Sequence, residues 1–114
     1  MDINEFVKEI IESLSNIPYV KDIEIRTEIF VVKGRILFEK DFFLQIYYNS
    51  QTGTQCFALI KGNCRIWGID YDNLRGWHEH PLNKPAEHKE INPLKVGEIF
   101  KILKQVLEKV LKKD

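Results

Sequence analysis

The chain has 114 residues, the size of one domain, and at that length it can bury a core without disulfides or a structural metal. Lys plus Arg and Asp plus Glu balance at 17 each, which excludes a global field that would pull a polyanion in from a distance, so any nucleic-acid contact has to be local. No apolar run approaches the ~20 residues that span a bilayer, and the first residues are acidic where a signal peptide is basic; the expectation is a soluble, cytoplasmic protein with no membrane partner.

Asp2 and Glu5 form a D-x-x-E capping box, which satisfies orphan amides at a helix start. Behind it Ile3, Phe6, Val7, Ile10, Ile11 and Leu14 recur at helical spacing, predicting an amphipathic helix over 3–15 that stops before Pro18. From 21 to 70 the period changes to two, and β-branched and aromatic residues dominate, which predicts an antiparallel meander. Ile23 and Ile25 alternate with charges. In the run 28–38, Ile29 and Val31 fall in one parity and Ile36 and Phe38 in the other, so a bulge is expected near Gly34. Phe42, Leu44, Ile46 and Tyr48 share the next face. A turn over 49–53 leads into 55–60, and Gly62-Asn63, which tolerates positive φ, returns the chain through 65–69. In that register Cys64 lies beside the turn and Cys56 several residues up the partner strand, so two reduced thiols are expected.

Asn92-Pro93 has the order of a helix start, and Val96, Ile99, Phe100, Leu103, Val106, Leu107, Val110 and Leu111 line one face of a helix predicted over 93–112. Its Lys95, Lys101, Lys104, Lys109, Lys112 and Lys113, interspersed with Glu98 and Glu108, read as a solvated face. The expected architecture is α+β, a curved antiparallel β-meander flanked by an N-terminal and a C-terminal amphipathic helix, in a single domain over 1–114.

Between the apolar patterns lies 68–90, GIDYDNLRGWHEHPLNKPAEHKE, which holds all three histidines, His78, His80 and His88. Gly76, Pro81 and Pro85 deny it a continuous helix, so it reads as a loop with short extended pieces. If His78-Glu79-His80 is extended, its two imidazoles share a face, and a turn over 81–85 brings His88 back towards them. Three imidazoles with Asp70 or Asp72 suit a transition metal, but H-x-H is short and the longer metal spacings are absent, so no metal and no cofactor is assigned. Metal-free acid and base catalysis uses the same residues: imidazoles exchange protons with a ribose 2'-hydroxyl and a leaving oxygen, Arg75 and Lys89 neutralise phosphate, and Tyr71 and Trp77 offer faces to an unpaired base. No P-loop, dinucleotide fingerprint, nucleophile elbow or C-x-x-C pair is present to suggest another chemistry.

Tyr71-Asp72-Asn73, then His78-Glu79-His80-Pro81, then Pro85-Ala86-Glu87-His88-Lys89 ahead of a terminal helix resembles the TumE family of toxins from two-gene toxin-antitoxin modules. The likeness runs from about Val31 to the C-terminus. Its polar signature falls on Tyr71, Asp72, Asn73, His80, Pro81, His88 and Lys89, while Leu74-Arg75-Gly76-Trp77 intervenes where many members place adjacent histidines. The resemblance implies a toxin with a small DNA-binding antitoxin as partner. Together with the residue chemistry, the expectation is a ribonuclease in which His80 and His88 are the acid and base, His78 supports them, and Asp72 orients an imidazole. Tyr71, Asn73, Arg75, Trp77 and Lys89 then bind substrate RNA. The alternative is a non-catalytic interaction module of the same fold, with exposed apolar sheet or Trp67 and Trp77 as its anchors, and a third reading is a metal-dependent hydrolase with an ion at the three histidines.

Overall fold

The computed structural model describes residues 1–111; Lys112 and Lys113 of the Lys-rich helix face, and the predicted helix end at 112, lie outside the described residues. Helix α1 covers Ile3–Leu14, with the Asp2 carboxylate accepting from the Glu5 amide at 2.8 Å and Phe6, Ile10 and Leu14 buried. Seven antiparallel strands follow in an open sheet whose spatial order is the chain order: β1 Asp22–Thr27, β2 Val31–Glu39, β3 Phe42–Asn49, β4 Gln55–Lys61, β5 Cys64–Asp72, β6 Gly76–His80 and β7 Lys89–Glu90. Helix α2, Val96–Leu111, closes the described chain. The fold is α+β, with a helix at each end of an antiparallel meander, as the periodicities predict.

One core joins the layers. Alternate residues of β2 to β5, among them Val32, Ile36, Leu44, Ile46, Phe57, Leu59, Trp67 and Ile69, pack with Phe6 and Ile10 of α1 and Ile99, Phe100 and Leu103 of α2. Phe6 stacks on Tyr48 at 4.3 Å between ring centroids, and Phe57 meets Phe100 edge-on at 6.1 Å, so aromatic contacts tie each helix to the sheet. The opposite face carries Lys33, Arg35 and Gln45, all exposed.

Three elements differ from expectation. Strand β2 keeps one buried parity from Val32 through Phe38, and its irregularity lies between Leu37 and Glu39, not near Gly34. The apparent switch arises because Ile29 is not in the strand. Glu28 and Val31 close a turn through a 2.8 Å amide-to-carbonyl bond, leaving Ile29 85 % exposed. The stretch 68–90 is less loop than expected, since β5 runs on to Asp72 and β6 and β7 extend the sheet. Helix α2 starts at Val96, three residues beyond Pro93, where the Glu98 carboxylate accepts from the Lys95 amide at 2.9 Å. Just before Pro93 the chain is held to β6 by the Ile91 amide, which donates to the Trp77 carbonyl.

Candidate histidine and carboxylate site

The β5–β6 hairpin builds the site. Asp72 Oδ1 accepts from the Leu74 and Arg75 amides at 2.9 and 2.7 Å, the side-chain-closed turn that Asp favours, and Gly76 takes the positive φ that ends it. The resulting register sets Asp70 opposite His78 and Gly68 opposite His80. Because strand residues alternate, Asp70, His78 and His80 share the sheet face turned away from the helices, while Trp67, Ile69, Tyr71, Trp77 and Glu79 project to the helix side.

The segment 81–90 folds back over the imidazoles. The Pro85 carbonyl accepts from His80 Nδ1 at 2.9 Å, and His88 lies edge-on to His80 and His78, at 4.6 and 5.5 Å between ring centroids. His78 and His80 are thereby left 4 % and 7 % exposed, while His88 stays at the surface. One ring nitrogen from each histidine lies within 4.8 Å of the others.

Asp70 is the hub of the group. Its Oδ2 is 3.1 Å from His80 Nε2 and 3.5 Å from His78 Nε2, and its Oδ1 accepts from Arg65 Nη2 at 2.8 Å. Burial pushes this carboxyl up, but hydrogen bonding and charge from Arg65, with Cys56 and His80 behind, outweigh it and hold Asp70 below its ordinary value. The converse holds for Cys56, paired with Asp70 across β4 and β5: burial, then the Asp70 charge, pushes its thiol up to about 12. Both cysteines are free. At the surface, Arg75 Nη1 lies 3.3 Å from His88 Nε2 and Arg75 Nε 3.6 Å from Asp72. Desolvation, then the charges of His80 and Arg75, keeps His88 below the usual imidazole range.

Of the residues expected in the site, the three histidines and Arg75 come together. Asp72 faces the turn amides, and the carboxylate that meets the imidazoles is that of Asp70. Tyr71 and Trp77 pack on each other at 5.3 Å on the other side of the sheet, where the Tyr71 hydroxyl donates to Asn73 at 3.2 Å. Lys89 lies exposed in β7. Trp67 is buried, with its Nε1 donating to Glu79 at 3.0 Å, which removes it as a surface anchor. Sequence reasoning missed Arg65 and Cys56. The signal for Cys56 was the hairpin register after Gly62, and that for Arg65 was glycine at 68, over which the guanidinium lies.

No protein family matches this chain, and neither a curated protein nor a solved structure matches it. Among the described residues, no helix is long and apolar enough to cross a membrane.

Proposed function

We propose that this chain is a toxin-like protein of a two-gene module that cleaves RNA at the cluster of His78, His80, His88 and Asp70, with a small DNA-binding antitoxin as its partner. The observation that supports this reading most is the convergence of three imidazoles, two of them on the Asp70 carboxylate and the third beside a surface guanidinium. His88, the exposed imidazole, takes the proton of a ribose 2'-hydroxyl. The 2'-oxygen then attacks phosphorus, and the leaving 5'-oxygen takes its proton from the imidazolium of His80, giving a 2',3'-cyclic phosphate. Asp70 holds His80 in place, and Arg75 pairs with the phosphate. His80 keeps only 10 % of its side-chain surface, so this step requires the 81–90 segment to lift from the sheet.

A second reading, the non-catalytic interaction module, is favoured by Leu74, which stands 96 % exposed at the tip of the β5–β6 turn. Induced expression in a bacterial host separates the two. The wild-type chain is expected to arrest growth and His88→Ala to relieve the arrest at equal protein level. Arrest unchanged in His88→Ala contradicts the catalytic reading, and relief by Leu74→Ser alone favours docking.

A further inference from the structure

The protons on the two buried imidazoles are fixed by their outer partners. His78 Nδ1 is 3.1 Å from the Gly76 carbonyl and His80 Nδ1 is 2.9 Å from the Pro85 carbonyl. A carbonyl only accepts, so each Nδ1 carries a hydrogen and, in the neutral ring, each Nε2 presents a lone pair. Both lone pairs point at the same oxygen, Asp70 Oδ2, at 3.5 and 3.1 Å. Two lone pairs and a carboxylate facing one another in a largely buried space repel unless a proton or a metal cation sits among them. Arg65 does not fill that role, because it is committed to the other oxygen, Oδ1.

We propose that His78, His80, His88 and Asp70 form a closed, four-ligand site for one divalent transition ion of the zinc class. Imidazole and carboxylate together suit such an ion. With bonds of about 2.0–2.1 Å, tetrahedral donors stand about 3.3 Å apart, which the two Asp70-to-histidine distances, 3.1 and 3.5 Å, already bracket. A ring nitrogen of His88 lies within 4.8 Å of one on each of the other two histidines, and bringing it to the ion displaces Arg75 Nη1, which lies 3.3 Å from His88 Nε2. The outer shell is also built: ligating histidines characteristically donate their second ring N–H to a carbonyl or carboxylate, as His78 and His80 do here. Two ligands come from β6, one from β5 and one from the 81–90 segment, so the ion fastens that segment down on the sheet.

The proposal goes beyond RNA cleavage and does not rest on it. An ion held by these four groups occupies the lone pairs that proton transfer needs and keeps the segment closed, so the loaded form is the silent form of the catalyst proposed above.

The test is titration of the untagged, chelator-stripped chain with Co(II), followed by Zn(II) competition, with the unfolding temperature read in parallel. The expected result is a set of tetrahedral Co(II) absorption bands saturating at one equivalent, displaced by Zn(II), with Zn(II) raising the unfolding temperature. His88→Ala, a surface change that leaves the buried pair in place, is expected to weaken binding by more than about 100-fold, since loss of even an outer partner costs on the order of 10- to 100-fold. Glu87→Gln, next to it, is expected to bind as wild type. Absence of tetrahedral bands, or His88→Ala binding as tightly as wild type, overturns the proposal. Binding without any RNA cleavage by the stripped protein overturns only the ribonuclease reading.

Discussion

Asp70 and Asp72 stand two apart on one strand and so share a parity; either carboxylate could have served the histidines. The turn decides between them. Asp72 spends Oδ1 on the amides of Leu74 and Arg75, and Asp70, one pair further along the ladder, is left opposite His78. That both imidazoles of His78-Glu79-His80 share a face was legible from the strand period alone. Which carboxylate they meet was not, because that depends on where the turn closes. The charge on Asp70 also sets the chemistry of its neighbour across the ladder. With its thiol pushed up to about 12, Cys56 holds almost no thiolate at pH 8. Iodoacetamide at that pH is therefore expected to label the exposed Cys64 of the native chain and spare Cys56, as read by peptide mass spectrometry, with both labelled after unfolding. Equal labelling of both in the native state contradicts the buried placement of Cys56 beside Asp70.

At the scale of elements, β5 carries the site because Arg65 lies back across its own strand. A Cβ built on Gly68 would clash with Arg65 Nη2 and Nε, so the strand has no side chain where the guanidinium crosses to Asp70. Gly68→Ala is expected to push Arg65 off Asp70. The two side chains keep 27 % and 16 % of their surface, so the loss is expected to be about 1 kcal/mol, at the level of a partly screened ion pair. Its pH dependence has a fixed sign. The folded Asp70 carboxyl is held below its unfolded value of about 3.9, so its contribution is present above that value and fades as pH falls through the folded one. Denaturant unfolding should therefore show Gly68→Ala destabilised at pH 7 and converging on wild type as pH falls below about 4 and on through the lower folded value. A deficit that stays constant down to low pH contradicts the account. The two helices and strands β2 to β5 could be read from periodicity because each buries one face. Strands β6 and β7 could not, since GWHEH and Lys89-Glu90 offer no run of apolar alternation and are recruited by pairing with β5. Ile29 misled in the opposite direction, as an apolar side chain in a turn.

At the scale of the whole molecule, the sheet separates two tasks. Its helix side holds the aromatic core, with Trp67 inside it and Trp77 packed against it, while its open side carries the histidines and, further along, Lys33 and Arg35. The polar residues between Tyr71 and Lys89 are thus divided between faces. Of the histidines among them, His80 meets Asp70 and His88 lies edge-on to His80, while Tyr71, Asp72 and Asn73 build the hairpin that places them. A catalyst of this kind needs only the open face and the 81–90 segment, and the cluster that would bind an ion is the one that would move protons. The activity has accordingly to be measured with metal removed. The most direct measurement is cleavage of an oligoribonucleotide by the purified chain in chelator, beside His88→Ala and beside a substrate carrying a 2'-deoxy nucleotide at the scissile position. The account predicts products ending in a 2',3'-cyclic phosphate, a rate lower by about 10²- to 10⁴-fold in His88→Ala with its fold unchanged by circular dichroism, and no cleavage at the deoxy position. Intact RNA after incubation with the wild-type chain, or cleavage by His88→Ala at the wild-type rate, would contradict it.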